Sequence, residues 1–118
     1  MDGSPSYKDL EVVNNEYKDR DYNIRIEVPE FNCVCPKTSL PDFANIKITY
    51  IPDENIVELK SLKLYMVKFR NLGIYHEHVT NQILNDLVRV LSPRKINVVG
   101  DFHPRGGVKT AVEAVWEK

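Results

Sequence analysis

The segment F-N-C-V-C-P-K-T-S-L-P-D-F (Phe31–Phe43) contains both cysteines of the chain and joins two stretches of alternating apolar and polar residues. Pro36 and Pro41 each restrict their own φ to about −65° and exclude the preceding residue from the helical region. We therefore expect a stiff loop that holds Cys35, directly before Pro36, in an extended conformation. A loop that presents a thiol together with the carboxyl of Asp42 is typical of a reactive site.

The residues on either side of this loop predict two strands. Apolar and polar residues alternate through Tyr22–Pro29, and the alternation returns in Ala44–Tyr50. A period of two is typical of a strand with one buried face. The segment Pro52–Asn55 then predicts a turn, because proline, aspartate and asparagine favour turn conformations.

The second half of the chain predicts two helices followed by two strands. Val57–Phe69 contains good helix formers throughout, although part of it also alternates. His76–Leu91 carries the clearest helical stripe and ends at a Ser-Pro pair. Ile96–Phe102 and Val108–Trp116 alternate again. The order β-β-α-α-β-β predicts an α+β fold, a four-stranded antiparallel sheet with two helices on one face.

A chain of 118 residues is long enough for one domain. We expect the polar residues 1–21 to form a loose N-terminal arm with at most one short turn, and residues 22–118 to form the domain. A four-stranded sheet leaves its outer strands unpaired, and unpaired edges recruit other chains. We therefore expect an oligomer in which subunits pair their sheet edges.

The composition argues against several classes of partner. The net charge is −1, so no overall positive charge draws the chain to nucleic acid or to anionic membranes. No apolar run approaches the roughly 20 residues of a membrane span, and the N-terminal sequence lacks a secretory pattern. Two cysteines in a C-x-C spacing do not readily bridge each other. We expect a reduced, cytoplasmic protein without direct nucleic-acid or membrane binding.

The two cysteines allow three interpretations. Cys35 could be a nucleophile, or it could be a small buried apolar residue, which is the commoner role of a free cysteine. With Cys33 two residues away and the H-E-H sequence at His76–His78, a metal site is also conceivable. Zinc sites favour longer spacings than single-residue gaps in both halves, so we predict no metal.

Two acids have both structural and catalytic interpretations. Asp42 could cap the loop, or it could donate a proton to whatever the thiol attacks. A donor has to stay protonated at neutral pH, and burial beside Pro41 and Phe43 acts in that direction. Glu77 could simply favour the start of its helix, or it could accept two parallel hydrogen bonds from the N–H edge of a guanine-type base.

Three basic residues are candidates for binding phosphate. Lys60 and Lys63 lie three residues apart and share one face of the predicted helix, and Arg105 precedes two glycines in a turn. Solvated surface charge is the usual role of such residues. If they converge, they could bind phosphate groups.

Four motifs in this order and spacing resemble one enzyme family. The motifs are C-P-K-T-S-L-P-D-F (Cys35–Phe43), V-E-L-K-S-L-K-L-Y (Val57–Tyr65), H-E (His76–Glu77) and P-R-G-G (Pro104–Gly107). Over roughly residues 22–116 they resemble the short, single-module family of NADPH-dependent 7-cyano-7-deazaguanine reductases, the nitrile reductases of queuosine biosynthesis. The E-L-K-S-x-K-x-Y part is the most specific.

The resemblance implies a role for each acidic and thiol candidate. Cys35 would attack the nitrile carbon to form a covalent thioimide, and Asp42 would donate a proton. His76 and Glu77 would bind the pyrimidine edge of the 7-deazaguanine base. The residues implied to line the base are Val57, Glu58 and Leu59.

The resemblance also implies a cofactor. Two hydride transfers from NADPH would reduce the nitrile to the primary amine of 7-aminomethyl-7-deazaguanine. Lys60, Lys63 and Arg105 would hold the phosphates of NADPH, since the sequence has no Rossmann G-x-G-x-x-G motif.

The implied architecture is the tunnelling fold that is shared with GTP cyclohydrolase I. Subunits of that fold join strands edge to edge into a ring-like barrel, commonly a pentamer, and two barrels stack into a decamer. Leu59 stands where many members of the family have serine, which removes a hydroxyl from the base pocket. Cys33 lies outside the motifs.

Three other functions stay open at this point. A GTP cyclohydrolase-like zinc hydrolase of the same fold would use Cys and His ligands and no NADPH. An amidine-forming relative would add ammonia to the thioimide on tRNA and would not use Lys60, Lys63 and Arg105 to bind phosphate. A non-catalytic purine-binding oligomer would not need Cys35.

Overall fold

The structure, a computed structural model, describes residues 3–118, which form six strands, two α-helices and one short 3-10 turn (Tyr7–Asp9). The strands are β1 (Val12–Asn14), β2 (Ile24–Val34), β3 (Pro41–Ile51), β4 (Asn55–Val57), β5 (Lys95–Phe102) and β6 (Ala111–Glu117). The helices are α1 (Leu59–Val67) and α2 (His76–Leu91).

The main sheet has the strand order β2-β3-β5-β6, and every neighbouring pair is antiparallel. Alternate residues of β3 and β5 are buried, from Ala44 to Tyr50 and from Ile96 to Phe102, and the helices cover this face. The predicted α+β fold, with a four-stranded antiparallel sheet and two helices on one face, is confirmed. The two outer strands, β2 and β6, each have one edge without a strand partner within residues 3–118.

The loop between β2 and β3 is shorter than the sequence predicts. After an irregularity in the pairing between Val28 and Phe31, β2 continues to Val34, and β3 already begins at Pro41. Phe31 and Cys33 are buried, and removing their apolar surface from water stabilises the longer strand relative to an exposed loop. Only residues 35–40 connect the two strands.

Helix α1 begins two residues later than predicted. Val57 belongs to β4, and Glu58 is the N-cap, with its carboxylate accepting hydrogen bonds from the backbone N–H groups of Lys60 and Ser61 at 2.8 and 2.7 Å. These N–H groups have no partner inside the helix, and a capping carboxylate satisfies them.

Helix α2 has the predicted bounds. Its apolar stripe (Val79, Ile83, Leu84, Leu87 and Leu91) is buried against the sheet. The helix ends at Ser92, which adopts a left-handed φ of 43°, and Pro93 follows. Within residues 3–118, neither helix is long and apolar enough to cross a membrane. The last strand, β6, begins at Ala111, three residues after the predicted start.

The polar sequence predicts a loose N-terminal arm over residues 1–21. Residues 3–21 are instead held against the rest of the chain. β1 pairs with β4, the side chain of Leu10 is buried, and the hydroxyl of Tyr22 donates to Asn15, which is 1% exposed, at 2.7 Å. The backbone N–H of Glu11 also donates to the Ser61 hydroxyl at 2.9 Å. All three residues of β1 are exposed. β1 itself is held by backbone pairing rather than by apolar burial, so its sequence carries no alternation.

Gly100 on β5 permits a close contact between α2 and the sheet. A Cβ atom at this position would lie 2.4 Å from Oγ1 of Thr80 and 2.9 Å from a ring carbon of Phe102. Both neighbours are fully buried, so neither has room to withdraw.

We predict that Gly100→Ala lowers the free energy of unfolding by about 1–3 kcal/mol, since overpacking a tight core forces its neighbours to shift. Urea denaturation would measure the change. Gly73→Ala is the matched control, because the added Cβ would meet only the backbone of Pro36, at 3.8 Å. It should change stability by no more than about 0.5 kcal/mol. Equal effects of both substitutions would contradict the packing argument.

Candidate active site

The six-residue loop (residues 35–40) presents the thiol of Cys35. The backbone N–H of Cys35 donates to the carbonyl of Leu40, and the N–H of Ser39 donates to the carbonyl of Cys35, both at 2.9 Å. Ser39 adopts a φ of 62°, which closes the turn. The side chain of Cys35 is partly exposed, as a reactive thiol has to be.

The two cysteines differ in their expected reactivity because their environments differ. The hydroxyl of Thr38 lowers the pKa of Cys35 below its ordinary value of 9.0, with smaller contributions from the backbone N–H groups of Thr38 and Lys37. Burial raises the pKa of Cys33 to about 12, and the charge of Asp42 adds to this effect. Cys33 is fully buried in the core. Of the two thiols, only Cys35 combines access with a stabilised thiolate.

A short parallel pairing brings the start of α2 to this loop. The backbone N–H of Val34 donates to the carbonyl of Leu72, and the N–H of Ile74 donates to the carbonyl of Val34, both at 3.0 Å. Val34 directly precedes Cys35, and Ile74 lies two residues before His76. The pairing therefore joins the thiol loop to the first turn of α2.

Asp42 lies at the centre of the cluster and is only 5% exposed. One carboxylate oxygen is 3.1 Å from Nε2 of His76, and the other accepts a hydrogen bond from the guanidinium of Arg105 at 3.0 Å. The charge of Asp42 also raises the pKa of the Cys35 thiol, although the larger effect of the Thr38 hydroxyl lowers it. Phe43 is exposed, so it does not shield the carboxyl as the sequence suggests. The fold thus joins Cys35, Asp42, His76 and Arg105 in one cluster.

The imidazole of His76 is held on its face as well as at its edge. The ring of Phe102 stacks on it with a centroid distance of 3.8 Å and an angle of 4° between the ring planes. The hydroxyl of Thr80 donates to the backbone carbonyl of His76 at 2.9 Å. Neither Phe102 nor Thr80 is a functional candidate from the sequence. Their only sequence signal is that each falls in the core-facing pattern of its own element.

Glu77 follows His76 in the first turn of α2, and its side chain is exposed. It therefore lies beside the cluster, with its carboxylate open to solvent or to a ligand. Tyr75, the N-cap of α2, is also exposed and packs edge-on against His78, with a centroid distance of 5.8 Å.

One nitrogen of the Arg105 guanidinium, Nη1, is already engaged by the loop and the cluster, although the side chain is 40% exposed. Its guanidinium donates to the Asp42 carboxylate and also to the backbone carbonyl of Pro41. Lys60 and Lys63 are exposed on α1, at a different part of the molecule. Within one chain, the three basic residues do not converge.

The segment predicted to line the base (Val57, Glu58 and Leu59) also lies away from the cluster. The backbone N–H of Val57 donates to the hydroxyl of Tyr50 at 3.0 Å. Tyr50 and Asp42 are eight residues apart on β3, which corresponds to about 26 Å at about 3.3 Å per residue. Glu58 caps α1, and Leu59 is exposed at its start. One chain therefore carries the candidate residues in two separate groups.

A groove of about 450 Å³ lies between α1 and β2, lined by apolar residues including Leu59, Leu62 and Met66 together with Lys63 and Arg70. Within residues 3–118, no three His, Cys, Asp or Glu side chains are grouped closely enough to hold a metal ion. His76 and Cys33, which the sequence allows as ligands, instead contact Phe102 and the core.

The chain is similar to proteins of one family. The family model described as QueF-like protein matches residues 41–118. A protein of Thermomicrobium roseum, named NADPH-dependent 7-cyano-7-deazaguanine reductase, is 56% identical over 118 residues, which cover 100% of this chain and 91% of that protein. A protein of Alkalilimnicola ehrlichii with the same name is 52% identical over the same shares of both chains.

The fold is similar to that of a crystal structure of the archaeosine synthase QueF-Like in the apo form. The TM-score is 0.73, the sequences are 22% identical, and the match covers 79% of this chain and 91% of the other. At this identity the similarity concerns the fold alone. The family match and the sequence identities together establish that the chain belongs to the QueF-like protein family, alongside proteins named NADPH-dependent 7-cyano-7-deazaguanine reductase.

Proposed function

We propose that this chain is an NADPH-dependent nitrile reductase that converts 7-cyano-7-deazaguanine to 7-aminomethyl-7-deazaguanine in the queuosine biosynthesis that modifies tRNA. The observation that carries this proposal is the cluster of Cys35, Asp42 and His76, in a chain whose relatives bear the name of that enzyme. A partly exposed thiol of lowered pKa next to a buried carboxyl suits attack on a nitrile.

The reaction begins at the sulfur of Cys35. The thiolate adds to the nitrile carbon, so that an S–C bond forms while one C–N π bond breaks and the nitrogen takes up a proton. The hydrogen bond from the Thr38 hydroxyl lowers the pKa of the thiol and so favours its reactive thiolate form. The product of this step is a covalent thioimide on Cys35, which is a better hydride acceptor than the nitrile.

Asp42 supplies the proton in this proposal. The carboxylate that is paired with Arg105 in the structure would take up a proton when the nitrile binds, and Nε2 of His76, 3.1 Å from one oxygen, is the neighbouring group that can exchange a proton with it. Arg105 orients the other oxygen. Because Asp42 is buried, water does not compete for the proton.

Two hydrides are needed to reduce a nitrile to an amine, and NADPH supplies this chemistry when bound. Lys60 and Lys63 suit its phosphates, because both side chains are exposed and lie on adjacent turns of one helix face. Arg105 would join them through the guanidinium nitrogens that Asp42 and Pro41 do not engage. Glu77, exposed one residue after His76, would accept hydrogen bonds from the N–H edge of the base.

The working enzyme in this proposal is a ring-like homo-oligomer, a pair of pentamers. The separation of the two groups supports it, because the group at the start of α1 could reach the cluster around Cys35 only in a neighbouring subunit. The members of that group are Val57, Glu58, Leu59, Lys60 and Lys63. The unpaired edges of β2 and β6 offer the means, because edge-to-edge pairing of identical chains closes a ring. Two free cysteines suit the reducing cytoplasm, where we expect the enzyme to act.

We predict that the protein forms a covalent adduct with 7-cyano-7-deazaguanine in the absence of NADPH, detected as an added mass of the intact chain. Cys35→Ala should abolish the adduct. Cys33→Ala is the matched control and should retain it, because burial raises the pKa of Cys33 to about 12. An unchanged mass of the wild type, or an adduct that survives in Cys35→Ala, would refute the nucleophile.

We predict that the wild type oxidises two equivalents of NADPH per amine formed, followed by the fall in NADPH absorbance. Asp42→Asn should lower kcat by about 100-fold or more, the usual contribution of a general acid, while the base still binds. Binding of the base to the variant would be measured by calorimetry. Normal turnover by Asp42→Asn would mean that the proton comes from another group.

We predict that two inactive variants restore activity when they are co-expressed. Cys35→Ala damages the cluster around Asp42, and the double variant Lys60→Glu/Lys63→Glu damages the group at the start of α1. Random mixing should recover about a quarter of the wild-type activity, because some sites combine two intact groups. The control pair, Cys35→Ala with Asp42→Asn, should stay inactive, since both changes affect the same group. Inactivity of both mixtures would argue against a composite site.

A further inference from the structure

We infer that Phe102 is a positioning residue for His76, and that the reaction depends on it although it touches no substrate. The inference rests on the proposed function and concerns the same site. His76 is constrained from three directions: Phe102 covers the ring face, Asp42 contacts Nε2, and Thr80 donates to the main-chain carbonyl.

The stack is imposed by the surrounding packing. Two aromatic rings left to themselves prefer an edge-to-face or an offset arrangement. At a centroid distance of 3.8 Å and an angle of 4°, the two rings lie nearly parallel and closer than the usual separation of about 4.5–7 Å between aromatic centroids. Phe102 is fully buried, at the end of β5, and cannot turn away from this position.

Gly100 makes the arrangement possible. Its missing side chain leaves the space that the ring of Phe102 and the hydroxyl of Thr80 occupy, at 2.9 and 2.4 Å from where a Cβ would lie. These are the two groups that fix the ring face and the backbone of His76. Gly100 on β5 therefore makes room for both of these contacts with His76. The third contact comes from Asp42 on β3.

The functional consequence concerns the direction of Nε2. If the imidazole rotated about its bond to Cβ, the stack would be lost and Nε2 would leave the carboxylate of Asp42. Phe102 keeps the ring in the plane in which Nε2 stays 3.1 Å from Asp42. Because proton exchange requires hydrogen-bond distance, loss of the stack should slow turnover more than it weakens binding of the base.

The test combines ring spectroscopy with kinetics. The chain has three histidines, so a ¹³C-histidine spectrum is simple, and His76→Asn identifies the His76 signal. In the wild type, the ring protons of His76 should be shifted upfield by the Phe102 ring current. Phe102→Leu should remove that shift, lower kcat about tenfold or more and change KM by less than about twofold.

Phe69→Leu is the matched control, since Phe69 is equally buried but packs against Phe31 and Tyr65. It should destabilise the fold to a similar degree, without moving the His76 signal or kcat. If Phe102→Leu does not fold, Phe102→Met, which keeps more of the side-chain volume, replaces it. The inference is overturned if the wild-type His76 signal is unshifted, or if Phe102→Leu and Phe69→Leu lower kcat equally. The spectrum does not depend on turnover. If the wild-type protein did not act on the nitrile base, the proposed function would be refuted. The contact between Phe102 and His76 would then still be tested by the His76 ring signal.

Discussion

A buried carboxylate is the constraint on which the candidate site depends. Removing a charge from water is unfavourable unless partners replace the lost solvation. Asp42, at the start of β3, meets this requirement with His76 on one oxygen and Arg105 on the other. The two partners come from α2 and from the turn between β5 and β6. Satisfying one acid therefore brings two distant parts of the chain to the thiol loop.

The thiol loop depends on the same convergence. Pairing of Val34 with the segment before α2 joins the last residue of β2 to the approach of His76, so the loop and the helix start form one unit. Within that unit, Cys33 points into the core and Cys35 does not. Because Cys33 and Cys35 are two residues apart, both would face the same side if β2 continued through them. β2 ends at Val34, so Cys35 lies in the loop and stays outside the core. The end of the strand thus decides which cysteine can react.

The distribution of the candidate residues along the fold explains why a single chain is insufficient in the proposed mechanism. The cluster around Asp42 is at one end of β3, and the segment that begins α1 is beside Tyr50 at the other. A two-layer fold of this size cannot bend its sheet to join them. Within the described residues, β2 and β6 each have an edge without a strand partner, and these edges give a second copy the means to supply the missing group.

Much of the fold could be predicted from the sequence, because it depends on local patterns. Alternation in β3 and β5, and the apolar stripe of α2, follow from which face each element buries, and burial dominates their stability. The same patterns could not predict β1, which backbone pairing holds while its side chains are exposed. For the site, chemistry-bearing residue types identified Cys35, Asp42 and His76 as candidates. The contacts of Asp42 with Arg105 and of His76 with Phe102 were decided only by the tertiary structure. These pairs are 63 and 26 positions apart in the chain, and they meet only when β3, α2 and β5 are packed together.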